Sequence, residues 1–398
     1  MNPLRSRTAA ETAMAILDLV RRESPISRVE LSHATGLTET SISKTVRRLL
    51  EAGLVEEAGR DSTGRGKSRT MLKLASTAMY ALGVVLDDTR INCVLTDFSG
   101  AILAARELTG TRGELPHDVT ERVAAAVLEM LSAAGIDSSD VAGACLASPG
   151  RFDAEKKKLR LSSVAAEWEH FDVQEQFTEL TSIPATLEKD YGCAALAEHW
   201  VARDTPSDFV TVYVANGIGA GIVIDGELYG GLSSNAGEIG HLPLDPDGPE
   251  CNCGNRGCLE RIAAPQYLVR AAMARPELAQ RLGLDGARDT IRSDFEKLAR
   301  GAARGDDGAL ELISGAAERL AQAVLGLVNT LDAGEVVLAG PALEFVGDIF
   351  AATIQEALDH LSFMRPVHSV SVRLSGLGLD GAALGAAIAV LRNEAAAV

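Results

Sequence analysis

Apolar side chains recur at helical spacing from the start of the chain. Ala13, Ile16, Leu17, Leu19 and Val20 fall on one face of a helix predicted over residues 8–23, and Pro25 stops it. Ser27-Arg28-Val29-Glu30 has the spacing of a capping box, in which the Ser27 hydroxyl accepts from the Glu30 N–H and Glu30 reaches back. It opens a short second helix ending at Thr35, where Gly36 permits the turn. Thr38 is placed to cap a third helix with Ile42, Val46, Leu49 and Leu50 on its inner face and Gly53 just past its end. The pattern then shortens to strand length: Leu54 to Glu57, a glycine-rich stretch 59–67, and Met71 to Leu74. Three helices followed by a hairpin predict a winged helix-turn-helix over residues 1–76.

Beyond the short polar stretch 75–78 the pattern alternates. Leu82 to Val85 and Asn92 to Thr96 predict adjacent strands, and Asp208 to Val214 with Ala220 to Ile224 predict another pair. Helices are predicted from Val119 to Ala134, Ala194 to Ala202 and Ala309 to Leu331. Such alternation implies an α/β body.

Charge separates the two parts. Residues 1–75 hold 13 Lys+Arg against 9 Asp+Glu, whereas the remainder of the 398 residues holds 25 against 46. Any polyanion is therefore met by the head alone. The outer face of the third helix offers Thr40, Ser41, Ser43, Lys44, Arg47 and Arg48, the hydroxyls and cations that base edges and phosphates need in a major groove. The hairpin adds Arg60, Arg65, Lys67 and Arg69 for a minor groove. The expected partner is double-stranded DNA. No apolar run approaches the ~20 residues of a membrane span, and residues 1–7 lack a signal-peptide core, so the expected location is cytoplasmic. Cys93, Cys145 and Cys193 lie in apolar stretches and are expected to be buried thiols.

The other cysteines form a tight group. His241, Cys251, Cys253 and Cys258 fall within eighteen positions, separated by Pro243, Pro249, Gly248, Gly254 and Gly257. Three thiolates and an imidazole fill the shell of a tetrahedral zinc, one per chain, and leave no open position for catalysis. Glu238 and Glu260 flank this loop, which suggests a stapled support for a ligand pocket.

Gly237-Glu238-Ile239-Gly240-His241 followed by Cys251-Asn252-Cys253-Gly254-Asn255-Arg256-Gly257-Cys258-Leu259-Glu260 resembles the signature of the ROK family. Residues 216–226 resemble that family's second phosphate loop, and residues 327–340 the helix and strand before its adenosine site. The resemblance implies a two-lobed actin-like ATPase body. Residues 77–190, completed by a C-terminal helix 381–398, would form the first lobe, and residues 191–380 the second, carrying the zinc loop. Active ROK kinases carry Asp-x-Gly-Gly-Thr after the first strand, and here Val85-Leu86-Asp87-Asp88-Thr89 stands instead. Two aspartates in place of two glycines repel a triphosphate, so no sugar phosphorylation is expected.

The resemblance also implies sugar contacts at Glu238, His241 and Glu260, with Asp190 at the position of the catalytic base. Lys189 replaces the family's asparagine between Glu188 and Asp190. Two roles for Lys189 stay open: selecting an anionic sugar, or pairing with Glu188, Asp190 or solvent. The sequence thus points to a sugar-responsive transcriptional regulator, binding a palindromic operator as a homodimer or homotetramer. A bifunctional sugar kinase and a regulator controlled by a protein partner are the alternatives.

Overall fold

The computed structural model describes residues 8–61, 69–111, 113–153, 158–160, 168, 171–201 and 206–397. In the head, helix α1 (Ala9–Arg22) begins on Thr8, whose hydroxyl accepts from Glu11 N at 3.2 Å while Glu11 reaches back to Thr8 N. Strand β1 (Ile26–Ser27) leads into α2 (Arg28–Thr35) through the expected Ser27–Glu30 box. Gly36 ends α2 at φ +66°, a conformation that costs glycine little. Helix α3 (Glu39–Glu51) is capped by Thr38, with Ile42, Val46 and Leu49 buried. Strands β2 (Val55–Asp61) and β3 (Arg69–Leu74) form the hairpin, and β1 pairs with β3. The hairpin tip, with the predicted contacts Arg65 and Lys67, lies outside the described residues.

The body contains two five-stranded sheets of the same topology. The first is built from β4 (Tyr80–Leu86), β5 (Arg90–Asp97), β6 (Ile102–Thr109), β7 (Val141–Ser148) and, after the small ribbon β8 (Arg151–Asp153) with β9 (Lys158–Arg160), β10 (Ala185–Lys189). Its order is β10-β7-β4-β5-β6, with α4 (Pro116–Ala134) and α5 (Val173–Thr181) on one side. Helix α6 (Asp190–Val201) then crosses to the second sheet. There β11 (Phe209–Val214), β12 (Ile218–Ile224) and β13 (Glu227–Leu228) are followed by α7 (Leu259–Ala263), α8 (Pro265–Met273), α9 (Pro276–Leu282), α10 (Ile291–Ala303) and α11 (Asp307–Leu331). Strand β14 (Glu335–Ala339), α12 (Gly347–Leu361), β15 (Ser371–Leu374) and α13 (Gly381–Ala397) complete it, in the order β13-β12-β11-β14-β15. Each sheet is thus an antiparallel meander extended by two parallel strands.

Helices α6 and α13 sit at the centre and are buried nearly all round. Both are rich in alanine and glycine. A Cβ on Gly385 of α13 would lie 1.7 Å from the Cys193 carbonyl of α6, and one on Gly83 of β4 would lie 1.8 Å from the Ala383 carbonyl of α13. Only missing side chains allow backbones this close. Periodicity placed the start of α6 at Ala194, four residues late, because Tyr191 and Gly192 weaken the helical signal of its first turn. The same periodicity gave no helix at α5, α7, α8, α9, α10 or α12. No helix among the described residues is long and apolar enough to cross a membrane.

Candidate functional site

The cysteine loop folds back on itself through bridges Pro243↔Cys258 and Glu250↔Arg256 and the bond Cys251 N→Asn255 O, 2.8 Å. Gly257, at φ +62°, packs so tightly on the Asp245 carbonyl that a Cβ would stand 1.6 Å from it. This folding gathers His241, Cys251, Cys253 and Cys258, whose ligand atoms all lie within 4.8 Å of one another. Cys251 Sγ is 3.6 Å from His241 Nδ1, and Cys253 Sγ is 3.6 Å from Cys258 Sγ. Tetrahedral zinc, with bonds of about 2.3 Å to sulfur and 2.0 Å to nitrogen, sets ligand–ligand edges of roughly 3.5–3.8 Å. The set could hold one metal ion, and its size and chemistry are compatible with zinc.

Next to the cluster, carboxylates converge. Glu238 immediately precedes the turn that carries His241, and Glu260 lies in α7 two residues after Cys258. Gly217 and Gly240 let two loops close on Glu260: a Cβ on either would lie 2.7 Å or 3.4 Å from its Oε2. Burial raises the Glu260 pKa, although the His241 charge opposes the rise. Asp190 is the first residue of α6, and its Oδ1 accepts from Tyr191 N at 2.8 Å. Its pKa is pushed up to about 7, first by burial, with the charges of Asp87 and Glu238 adding and the Tyr191 N–H and Lys189 opposing.

Lys189 has a different partner from those considered above. Its buried ammonium donates to Glu238 Oε1 at 2.5 Å and to the Gly150 carbonyl, and lies 5.5 Å from the Tyr191 ring centre. It pairs with neither Glu188 nor Asp190, because Glu238 reaches it from the second sheet. Tyr191, unmarked by sequence reasoning, also donates to Glu238 Oε1, at 3.3 Å. Its one signal was its place directly after Asp190.

The loop after β4 is closed by its own side chain. Asp87 Oδ1 accepts from Thr89 N, Thr89 Oγ1 and, across the cleft, Asn216 Nδ2, each at 2.8 Å. Burial raises the Asp87 pKa; the two Thr89 bonds oppose it and Asp88 adds to it. This loop lines a cleft between the sheets with about 680 Å³ of empty space, walled on the far side by Pro265, Ile291, Phe295 and Pro341. Two arginines on its rim, Arg90 of β5 and Arg292 of α10, both bind Glu107, at 3.0 and 3.1 Å.

In the head, Thr40, Lys44 and Arg47 are exposed and Ser41 and Ser43 half-buried. Arg48, expected on the same outer face, turns inward and donates to the Ala9 carbonyl at 3.3 Å, because α1 packs beside α3. Another contact joins head to body. Arg21 of α1 donates to the His199 carbonyl at 3.3 Å, and its guanidinium lies 4.6 Å from the Trp200 ring. Arg22 meets His199 Nδ1 at 3.3 Å, and Asp18 lies 3.9 Å from His199 Nε2. Burial would raise the Asp18 pKa, but the His199 hydrogen bond and the charges of Arg392 and Arg21 bring it down to about 2.

Residues 81–393 match the family model described as ROK family, and residues 10–56 match one described as winged helix-turn-helix DNA-binding. The chain belongs to the ROK family. It is 29% identical over 259 residues to the xylose repressor of Bacillus subtilis (strain 168), spanning 64% of this chain and 66%, just under two thirds, of that one. A solved ROK family transcriptional regulator, described as a homolog of the E. coli MLC protein, shares its fold with a TM-score of 0.74 and 24% identity. That match covers 98% of this chain and 96% of the other. The ROK hexokinase from Thermus thermophilus aligns with 78% of this chain and 97% of its own, at 29% identity and a TM-score of 0.62.

The ROK body therefore places Lys189, Asp190 and Glu238 together, with Glu260 and His241 beside them. The perturbed Asp190 gives a signed prediction. A carboxyl whose folded pKa lies above its unfolded value destabilises the fold progressively as pH rises between the two. Asp190→Asn is expected to leave stability unchanged near pH 4 and to raise it at pH 8 by about 2–4 kcal/mol. Urea denaturation at both pH values checks this, and equal effects at both would refute it.

Proposed function

We propose that this ROK protein is a DNA-binding transcriptional regulator whose body senses a sugar or sugar derivative and does not phosphorylate it. One observation carries the reading: α6 begins at Asp190, beside Lys189 and Glu238, and carries His199 and Trp200 against the head near its other end. Twelve residues of α-helix span about 18 Å. A ligand that shifts Asp190 can therefore reach α1 through one rigid element. The ligand must bind the DNA-competent and DNA-incompetent arrangements with different affinity to act at all.

In this reading Thr40, Ser41, Ser43, Lys44 and Arg47 face the major groove, and the body holds the effector with Asp190, Glu238, His241 and Glu260. Lys189 holds Glu238 in place through its ion pair. The names of the xylose repressor and of the solved ROK regulator support a role in transcription. Loss of kinase activity is supported by apolar Val85 where the family's carboxylate stands, and by Asp87 in the phosphate loop. A bifunctional kinase is the second reading, favoured by the likeness to a ROK hexokinase and by an Asp190 poised to accept a proton near pH 7. A homodimer on a palindromic operator completes the proposal, with Arg65 and Lys67 as further DNA contacts.

The metal in this reading is one structural zinc per chain, held by His241, Cys251, Cys253 and Cys258. Bound there, it would supply no reaction chemistry. It would fix the imidazole between the cluster and the pocket and anchor the loop from which Glu238 and Glu260 project.

Two experiments test these claims. In a coupled ATP assay over a hexose panel, no turnover is expected, while Arg47→Ala weakens binding to the protein's own promoter DNA about tenfold or more. Robust turnover abolished by Asp190→Asn, with DNA binding indifferent to Arg47, would establish the kinase instead. Elemental analysis should find about one zinc per chain, and Cys253→Ser should lose it and lower Tm by roughly 5 °C or more. A metal-free protein of unchanged Tm would remove the staple from the account.

A further inference from the structure

We infer that the Asp87 carboxyl group is a tethered filler of the phosphate site of the body, so that the adjoining sugar site admits an unphosphorylated polyhydroxyl ligand and rejects its phosphate ester. The ligand class rests on the sensing role proposed above; the filled site does not. Three donors from two loops converge on Asp87 Oδ1 at 2.8 Å: Thr89 N and Thr89 Oγ1 from the β4–β5 turn, and Asn216 Nδ2 from the β11–β12 turn. Backbone and side-chain donors at this spacing are what a phosphoryl oxygen seeks. The carboxyl group occupies them in advance, and it fills the same space whether or not it carries a proton.

The surroundings give a phosphate nothing in exchange. On the cleft wall, Arg90 and Arg292 are both bound to Glu107. In the pocket, Lys189 is bound to Glu238 and the Gly150 carbonyl. Beside His241 and Tyr191, the groups gathered there are carboxylates: Asp190, Glu238 and Glu260. They accept hydrogen bonds, so they match the hydroxyl hydrogens of a polyol and oppose an acceptor-only phosphate. Ionised carboxylates at close range also repel a phosphate. Charge thus adds to occupancy.

The same contact also ties distant segments of the body together. Asp87 to Asn216 joins the β4–β5 turn to the β11–β12 turn, and Glu107 to Arg292 joins β6 to α10.

Isothermal calorimetry with inorganic phosphate, glucose and glucose 6-phosphate tests the inference. The wild-type chain should bind no phosphate and should favour glucose over its 6-phosphate. The double variant Asp87→Gly/Asp88→Gly, which vacates the site and removes the adjacent charge, should gain phosphate affinity by about tenfold or more. Asp87→Ala serves as a second variant with a smaller backbone change and should move in the same direction. A wild-type chain that prefers glucose 6-phosphate, or a folded variant with phosphate binding unchanged, would overturn the inference. If neither sugar binds nor alters DNA affinity, the sensing role is what fails, and the phosphate comparison alone decides Asp87.

Discussion

The structure depends on two helices that meet backbone to backbone. Gly385 against Cys193, and Gly83 against Ala383, leave no room for a single methyl group between α6, α13 and the first sheet. Packing this close resists sliding, because any displacement forces atoms into the range where overpacking costs kilocalories. Helix α6 is therefore held as a rod along most of its length. What varies is the chemistry at its two ends: carboxylate and lysine at Asp190 and Lys189, imidazole and indole at His199 and Trp200. The head rests on the second end through Arg21 and Arg22, so that pocket and DNA-binding unit share one rigid part.

Around that rod the charges are matched across long stretches of chain. Lys189 meets Glu238, Asp87 meets Asn216, and Glu107 takes both Arg90 and Arg292. Three of these pairs, Lys189–Glu238, Asp87–Asn216 and Glu107–Arg292, join the chain before α6 to the chain after it. They are used internally, and the interior of the cleft becomes part of the architecture. The cysteine loop acts in the same sense, since it fixes where Glu238 and Glu260 emerge.

Legibility in the sequence followed distance along the chain. The caps at Ser27 and Thr38, the turns at Gly36 and Gly53, and the four metal-capable residues are local or nearly so, and each was readable from spacing. The family signature supplied the two-lobed body, which periodicity alone gave only as α/β. Contacts between remote segments were unreadable. Glu238 is 49 positions from Lys189, and His199 is 177 from Arg22. Arg48 looked like a phosphate contact because a helix face alone does not reveal the neighbouring α1 that claims it. The early start of α6 was hidden by a glycine and an aromatic that tertiary burial makes tolerable.

The central claim is that α6 carries the state of the pocket to the head. The direct measurement is operator affinity with and without a bound sugar effector, in the wild-type chain and in His199→Ala. The account predicts that the variant still binds the sugar, seen as an unchanged melting shift, while its DNA affinity no longer responds. A variant that binds the sugar and still responds in full would contradict it.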